Sequence, residues 1–475
     1  MTRRTKILAT LGPATDDPAV LKRLLIAGVD VVRLNYSHGR ASDHARRATA
    51  VRAVAHEMGY DIGILADLQG PKIRIESFAN GPVELIEGAA FVLDTSIGAD
   101  AGDVNAVGCA YADLPRDTVA GDILLLNDGA ITLRVTAVEG TRIDTVVVLG
   151  GVLSNRKGIN KQGGGLSAAA LTDKDREDLI HAISIGADFI AVSFPRSAAD
   201  MDEARALMNA AGGSAFLVAK IERAEALPNL EEIIAASDVV MVARGDLGVE
   251  IGDAELPGWQ KKIIAASREA NRMVITATQM MESMIVNPIP TRAEVLDVAN
   301  AVMDGTDAVM LSAETATGRW PVKTIEAMSR VCLGAERAMP SRERSRRTMD
   351  AHFGRVDEAV AMATTWTAQH MQAKAIVSLT ESGSTAQMVS RTDTTIPVYA
   401  LTRHETTRRK MSMCRGVYPV AFDPSTADAM QAEREAIDCL KYRKVIATGD
   451  RVLLTRGDLT GELGGTNTMK IVSIV

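Results

Sequence analysis

Eight short apolar runs punctuate the first two thirds of the chain, and they restrict its fold more than any other feature. They are "KILATLG" from Lys6, "VDVVRLN" from Val29, "IGILADL" from Ile62, "DFIAVSF" from Asp188, "AFLVAKIE" from Ala215, "DVVMVARGD" from Asp238, "MVITATQM" from Met273 and "DAVMLSAE" from Asp307. Runs this continuously apolar read as strands buried on both faces, the mark of a parallel sheet. From the fourth onward they recur roughly every 25–35 residues, with amphipathic helical stretches between them. One such helix opens with Thr291-Arg-Ala-Glu294 after Pro290, a capping box. Eight strand–helix units of this kind imply a (β/α)8 TIM barrel in an α/β protein.

A barrel needs only part of the 475 residues. After the third run, residues 70–166 show no helical period. Their short alternating runs, such as "VELIEG", "DILLLND" and "ITLRVTAVEG", are punctuated by Gly, Asn and Asp. A β-rich lid inserted at the C-terminal end of a barrel strand is expected there. The Arg-rich stretch "PSRERSRRTMD", residues 340–350, reads as a solvated boundary. Beyond it, strand-like and helical stretches alternate again. The expected division is a barrel over 1–69 and 167–339, a lid over 70–166, and a C-terminal α/β regulatory domain over 351–475.

Composition excludes several functions. The chain is 47% hydrophobic and 24% charged, with net charge −7 and no basic block. Aromatic residues are only 3%, so stacking platforms for nucleic acid are not expected. No apolar run approaches the roughly 18 residues of a membrane span, and the apolar part of the N-terminal stretch breaks at Gly12-Pro13, too short for a signal peptide. Cys109, Cys332, Cys414 and Cys439 lie far apart without metal-ligand spacing. Free thiols in a reducing cytoplasm are the simplest expectation.

Active sites of barrels sit where the strands end, at the C-terminal face. Seven of the eight runs end in polar groups: Arg33, Asn35, Ser37 and His38; Asp67; Ser193; Lys220 and Glu222; Arg244 and Asp246; Thr278 and Gln279; Ser312 and Glu314. Side chains two apart on a strand point the same way, so Arg33/Asn35, Lys220/Glu222 and Arg244/Asp246 are expected to present pairs to one mouth. Isolated buried charges are costly, so these groups must pair with one another or with a ligand. Glu222 and Asp246 suit a hard divalent cation that keeps water and substrate oxygens in its shell. With Arg33, Lys220 and Arg244 alongside, the set suits an anionic substrate with a transferable phosphate. There is no G-x-x-x-x-G-K-[ST] loop, and "KQGGGLS" at 161–167 reads equally as a hinge. The residues alone leave open a Mg2+-dependent lyase or aldolase, or a sugar-phosphate sensor without chemistry.

The strings "RLNYSHG", "ADLQGPKIR", "AKIE", "MVARGDLGVEI", "ITATQMMESM", "PTRAEVLDVANAVMDGTDAVMLSAET" and "LTESGSTA", in this order, resemble the pyruvate kinases over essentially the whole chain. The "GINKQGGGLS" and "ARGDLGVEIGDAEL" stretches resemble a bacterial branch whose members tend to answer to AMP and sugar monophosphates. The resemblance implies a cytoplasmic, usually homotetrameric enzyme of phosphoenolpyruvate and ADP. It implies Mg2+ or Mn2+ on Glu222 and Asp246, with the backbone at Gly245 and Asp246 binding the substrate carboxylate. Lys220 would lie against the phosphoryl group in flight, and Thr278 near the face where the enolate is protonated. Arg33, Arg74, Lys157, Asn35 and His38 would position nucleotide and transferring phosphate. Many members use K+, held by residues matching Asn35, Ser37, Asp67 and the backbone of Leu68. Lys72, where those members carry glutamate, is expected to fill that pocket and make K+ unnecessary. A phosphorylated effector is expected at Thr380, Ser382, Ser384 and Thr385, where a strand passes into a helix.

Overall fold

A computed structural model of the chain describes residues 2–339, 353–392, 394–425, 428–457 and 465–475. The boundary stretch read at 340–350 lies outside the described residues, as do the first two residues of the C-terminal segment.

The eight apolar runs form one closed parallel barrel. Its strands, in order, are Lys6–Thr10, Val31–Asn35, Gly63–Asp67, Phe189–Val192, Phe216–Ile221, Val239–Ala243, Met273–Ala277 and Ala308–Leu311. Inward side chains fill the barrel and outward ones meet the helices. The first, third, sixth and seventh strands are accordingly buried at every position. The expected capping box is present. Thr291 Oγ1 accepts from the Glu294 amide, and the Glu294 side chain accepts from the Thr291 amide, opening the helix Arg292–Asp304.

Residues between the third and fourth strands build a curled six-stranded sheet, ordered Ile159–Lys161, Ile123–Leu126, Ile131–Glu139, Arg142–Leu149, Ala90–Asp94 and Ala106–Gly108. A small ribbon pairs Val83–Leu85 with Gly151–Leu153. This lid has its own core around Phe91, Leu93, Leu124 and Leu133. Gly70 starts the excursion with φ +68, and a Cβ there would lie 2.6 Å from Ser193 Cβ. Only glycine fits this exit from the barrel.

The C-terminal segment forms a five-stranded sheet ordered Val417–Ala421, Val398–Thr402, Ala375–Leu379, Arg451–Gly457 and Thr466–Ser473. The first four are parallel and the last is antiparallel. No helix among the described residues is long and apolar enough to cross a membrane.

The end of the barrel opposite the lid is held by aspartates. Asp30, Asp188, Asp238 and Asp307 each directly precede an even-numbered strand. Each accepts a backbone N–H from the odd strand before it: Ile7, Ile64, Leu217 and Val274, at 2.8–2.9 Å. Two of them also receive arginines of the C-terminal domain. Arg409 Nε lies 2.8 Å from Asp188, and Arg391 Nη1 lies 2.7 Å from Asp307.

Candidate active site

The second, third, fourth and fifth strands deliver one connected polar cluster to the lid-side mouth. Arg33 at the end of strand two donates from Nε to Asp67 Oδ2 at 2.6 Å and from Nη1 to Thr10 Oγ1 at 3.0 Å. Lys220 Nζ lies 2.8 Å from Glu222 Oε1 and 3.3 Å from Asp67 Oδ1. It donates to Ser193 Oγ at 2.7 Å, and Ser193 in turn donates to the Leu68 carbonyl at 2.8 Å. Asp67 and Glu222 are 1% and 2% exposed, so both carboxylates depend on these cations. Burial works against the Lys220 charge, but Asp67 and Glu222 outweigh it and hold its pKa above the ordinary lysine value. Burial likewise opposes ionisation of Asp67, yet Lys220 and Arg33 hold its carboxyl below the usual range. Glu222 moves the other way. Burial raises its pKa, and the neighbouring charge of Asp246 adds to that against the pull of Lys220.

The sixth strand ends at Ala243, one residue before the charged pair. Arg244–Ile251 is a helix, so Arg244 and Asp246 are not strand residues two apart and do not share a direction. Asp246 sits in the first turn, where a carboxylate complements the helix dipole. Arg244 turns inward, 2.7 Å from Asp297 and donating to the Ala277 and Thr278 carbonyls. It braces the helix and does not share the mouth. The Gly245 amide donates to Thr278 Oγ1 at 2.9 Å, and the Thr278 hydroxyl donates to the Ala277 carbonyl.

Three non-glycine residues at the mouth have left-handed backbone: Phe194 (φ 57), Thr278 (φ 68) and Gln279 (φ 53). Such strain costs about 1–3 kcal/mol per residue and gathers where function fixes geometry. At Phe194 it aims the amide at Glu222 Oε2, 2.9 Å away.

Lys72 departs from expectation. Its Nζ is 3.2 Å from Asp246 Oδ1 and 3.8 Å from Asp128 of the lid, not in a pocket of Asn35, Ser37 and Asp67. Asp67 is already enclosed by Arg33 and Lys220, so the ammonium goes to the carboxylate without another cation. Asn35 Oδ1 accepts from the Ser37 amide at 3.1 Å, and His38 is exposed. Arg74 faces Gly158 across an isolated bridge, and Ile75 donates to the Lys157 carbonyl, so the two legs of the lid run side by side at Arg74 and Lys157. Ser312 and Glu314 close on themselves: Glu314 is buried and accepts from the Ser312 and Met281 amides.

The sequence reading missed two members of the cluster. Thr10, the polar end of the first strand, was open to the same rule as the other seven. The Phe194 amide carries no sequence signal.

Glu222 and Asp246 fit a divalent cation. They are oxygen donors near enough for the charge of Asp246 to add to the burial that raises the Glu222 pKa. No cluster of three or more His, Cys, Asp or Glu able to hold a metal occurs among the described residues. A pair of carboxylates is what Mg2+ takes when substrate and water complete its shell. At the mouth Arg33, Lys220 and Lys72 face Asp67, Glu222 and Asp246, with Asp128 of the lid a fourth carboxylate near Lys72. A divalent cation would shift this balance towards an anionic substrate.

Of the four hydroxyls read as an effector site, two reach a cavity of about 700 Å3 between barrel and C-terminal domain: Ser382 and Ser384. Thr380 accepts from the Gly383 amide, and Thr385 is buried against Thr466, so neither lines it.

Comparison with known proteins agrees with this architecture. The family model "Pyruvate kinase, barrel domain" matches residues 2–325, and "Pyruvate kinase, alpha/beta domain" matches residues 358–472. Pyruvate kinase II of Salmonella typhimurium is 53% identical over 476 residues, covering 99% of both chains. A pyruvate kinase of Haemophilus influenzae is 52% identical over 459 residues and 96% of both chains, and one from Buchnera aphidicola of Schizaphis graminum is 49% identical over 476 residues, 99% of this chain and 98% of its own. With a barrel, a lid and a C-terminal α/β domain matched along its length, the chain belongs to the pyruvate kinase family.

Proposed function

We propose that the chain transfers the phosphoryl group of phosphoenolpyruvate to ADP, giving pyruvate and ATP in the last step of glycolysis. The observation that carries this reading is Lys220, a buried cation fixed between Asp67 and Glu222 at the mouth. Its raised pKa keeps it charged throughout the physiological range. A fixed cation there offsets the charge on a phosphoryl group that has left the enol oxygen and not yet joined the ADP oxygen. Arg33, locked to Asp67, supplies a second preorganised charge. The released enolate takes up a proton to become pyruvate, with Thr278 beside that face. Bound on Glu222 and Asp246, Mg2+ or Mn2+ would supply charge neutralisation and orientation. Arg74 and Lys157, paired on the lid legs, and Asn35 and His38 would meet the nucleotide, so lid closure completes the site. Pyruvate formation from phosphoenolpyruvate that requires both ADP and Mg2+ tests this. Turnover of phosphoenolpyruvate without a nucleotide would overturn it in favour of a lyase.

The finer points rest on the same geometry. K+ is not required, because Arg33 and Lys220 already neutralise Asp67 from within the chain. A phosphorylated effector binds the cavity at Ser382 and Ser384, beside Arg403 and Lys410. Gly383 supplies no side-chain cap to the helix Ser384–Arg391, and the Ser384 amide reaches Ser382 Oγ only at a long 3.4 Å, a bond that an anion would replace. The enzyme is a cytoplasmic homotetramer. Val286, Ile289 and Leu296, each more than half exposed, supply apolar surface for a subunit contact. The functional division is barrel 1–69 with 167–339, lid 70–166 and regulatory domain 351–475.

A further inference from the structure

Both carboxylates that fit a divalent cation already meet a lysine, and the two lysines differ. Glu222 has Lys220, 2.8 Å away, with 12% of its side chain exposed and with Asp67 and Ser193 also holding it. That ammonium keeps two partners when it gives up Glu222. Asp246 has Lys72, whose Nζ lies 3.2 Å from Oδ1, and 27% of the Lys72 side chain is exposed. Lys72 stands on the outgoing leg of the lid, two residues after Gly70. Its stem passes the return leg at Gly158, where a Cβ would come within 3.1 Å of Lys72 Cε. Among the described residues its one other ion-pair partner is Asp128, 3.8 Å away on the lid.

Asp128 belongs to the turn Asn127-Asp128-Gly129, whose residues have φ of 53, 55 and 87. This left-handed turn joins the lid strands Ile123–Leu126 and Ile131–Glu139. It approaches the helix Arg244–Ile251, since a Cβ on Gly129 would lie 3.9 Å from Val249. Lys72 therefore bridges the lid turn and the helix that carries Asp246. A divalent cation on Asp246 brings two positive charges to a carboxylate that an ammonium already holds. Their repulsion scales with the product of the charges, so the two compete for Asp246. Lys72 has a flexible four-carbon stem and a second carboxylate within reach. Lys220, held among three partners, has no such alternative. We propose that Lys72 is a displaceable counter-ion of the metal site: a divalent cation takes Asp246 from it, and the freed ammonium settles on Asp128 of the lid turn. This role rests on Glu222 and Asp246 being the metal pair, and it joins metal entry to the position of the lid.

Mn2+ binding to the full-length protein, without substrates, is read from the electron paramagnetic resonance signal of free Mn2+. Lys72→Met and Lys72→Gln are each expected to bind Mn2+ about tenfold more tightly than the parent, because a competing charge is gone. Asp128→Asn is expected to weaken Mn2+ binding about threefold in the parent and to change nothing in the Lys72→Met background. The double variant separates a route through Lys72 from direct attraction between Asp128 and the ion, which persists without the lysine. Asp246→Asn is expected to remove the binding. If it binds as the parent does, the metal pair is misassigned and the role of Lys72 falls with it; no saturable binding by the parent or the Lys72 variants overturns both. If Asp246→Asn removes binding while the Lys72 variants bind no more tightly than the parent, the metal pair stands and the counter-ion role fails. Weaker binding by those variants would mark a lysine that orients Asp246 for the metal and does not compete with it. An Asp128→Asn effect that survives in the Lys72→Met background overturns the transfer to the lid.

Discussion

Lys220 shows how much one position can reveal and conceal. Its two-residue spacing to Glu222 and its place at a strand end were legible in the sequence, because a parallel strand has a strict period. Its other two partners, Asp67 and Ser193, come from 153 and 27 residues earlier, and only barrel closure brings them there. Lys220→Met is expected to leave phosphoenolpyruvate binding nearly intact and to lower turnover by several orders of magnitude, since its cation acts on charge that develops during transfer. Turnover retained with only KM changed would contradict this role. Arg244 was misread for a related reason. The strand stops at Ala243 and the period changes from two to 3.6 at the next residue, with no proline or cap to announce it. Lys72 was placed on the wrong carboxylate because sequence cannot show that Asp67 is already satisfied. Activity in tetramethylammonium buffer is nevertheless expected to equal that with KCl at matched ionic strength. Activation by K+ of tenfold or more would show that the internal cations do not replace it.

Among the elements, the lid return is tied to the barrel through Glu250 of the helix Arg244–Ile251. Its carboxylate accepts from Asn160 Nδ2 on the last lid strand and from the Ala224 amide, and its carbonyl accepts from Gly163. Burial raises its pKa from 4.5 to about 7, with Glu225 adding to the rise. The folded chain therefore keeps a proton that the unfolded chain releases near pH 4.5. Stability from this group is full below that value and is lost as pH rises to about 7, by roughly 3 kcal/mol. Glu250→Gln cannot ionise. Its melting temperature relative to the parent is expected to rise between pH 5 and pH 8, and a constant difference would refute the assignment. The lid strands themselves were only partly legible. Ile131–Glu139 alternates cleanly, whereas Ala106–Gly108 and Gly151–Leu153 are three residues long, too short for a period to register.

At the scale of the whole molecule, the aspartates at the closed end of the barrel couple two domains. Asp307 is fully buried, and Arg391 is its principal cation. Arg391→Met leaves that charge without its partner, at an expected cost of about 3–5 kcal/mol. Arg142→Met, which removes an exposed, solvent-screened lid pair with Asp144, should have a far smaller effect. Denaturant unfolding followed by tryptophan fluorescence compares them, and equal effects would mean that the domain contact carries no special weight. The same face also carries a mechanical consequence. Asp188 directly precedes the fourth strand and is gripped by Arg409, while Ser193, just past its end, bonds Lys220. The four strand residues lie between them, about 16 Å of extended chain from one to the other. A fully hydrogen-bonded strand resists compression, so it is a short, stiff connection between the Arg409 contact of the C-terminal domain and the Lys220 ammonium at the mouth.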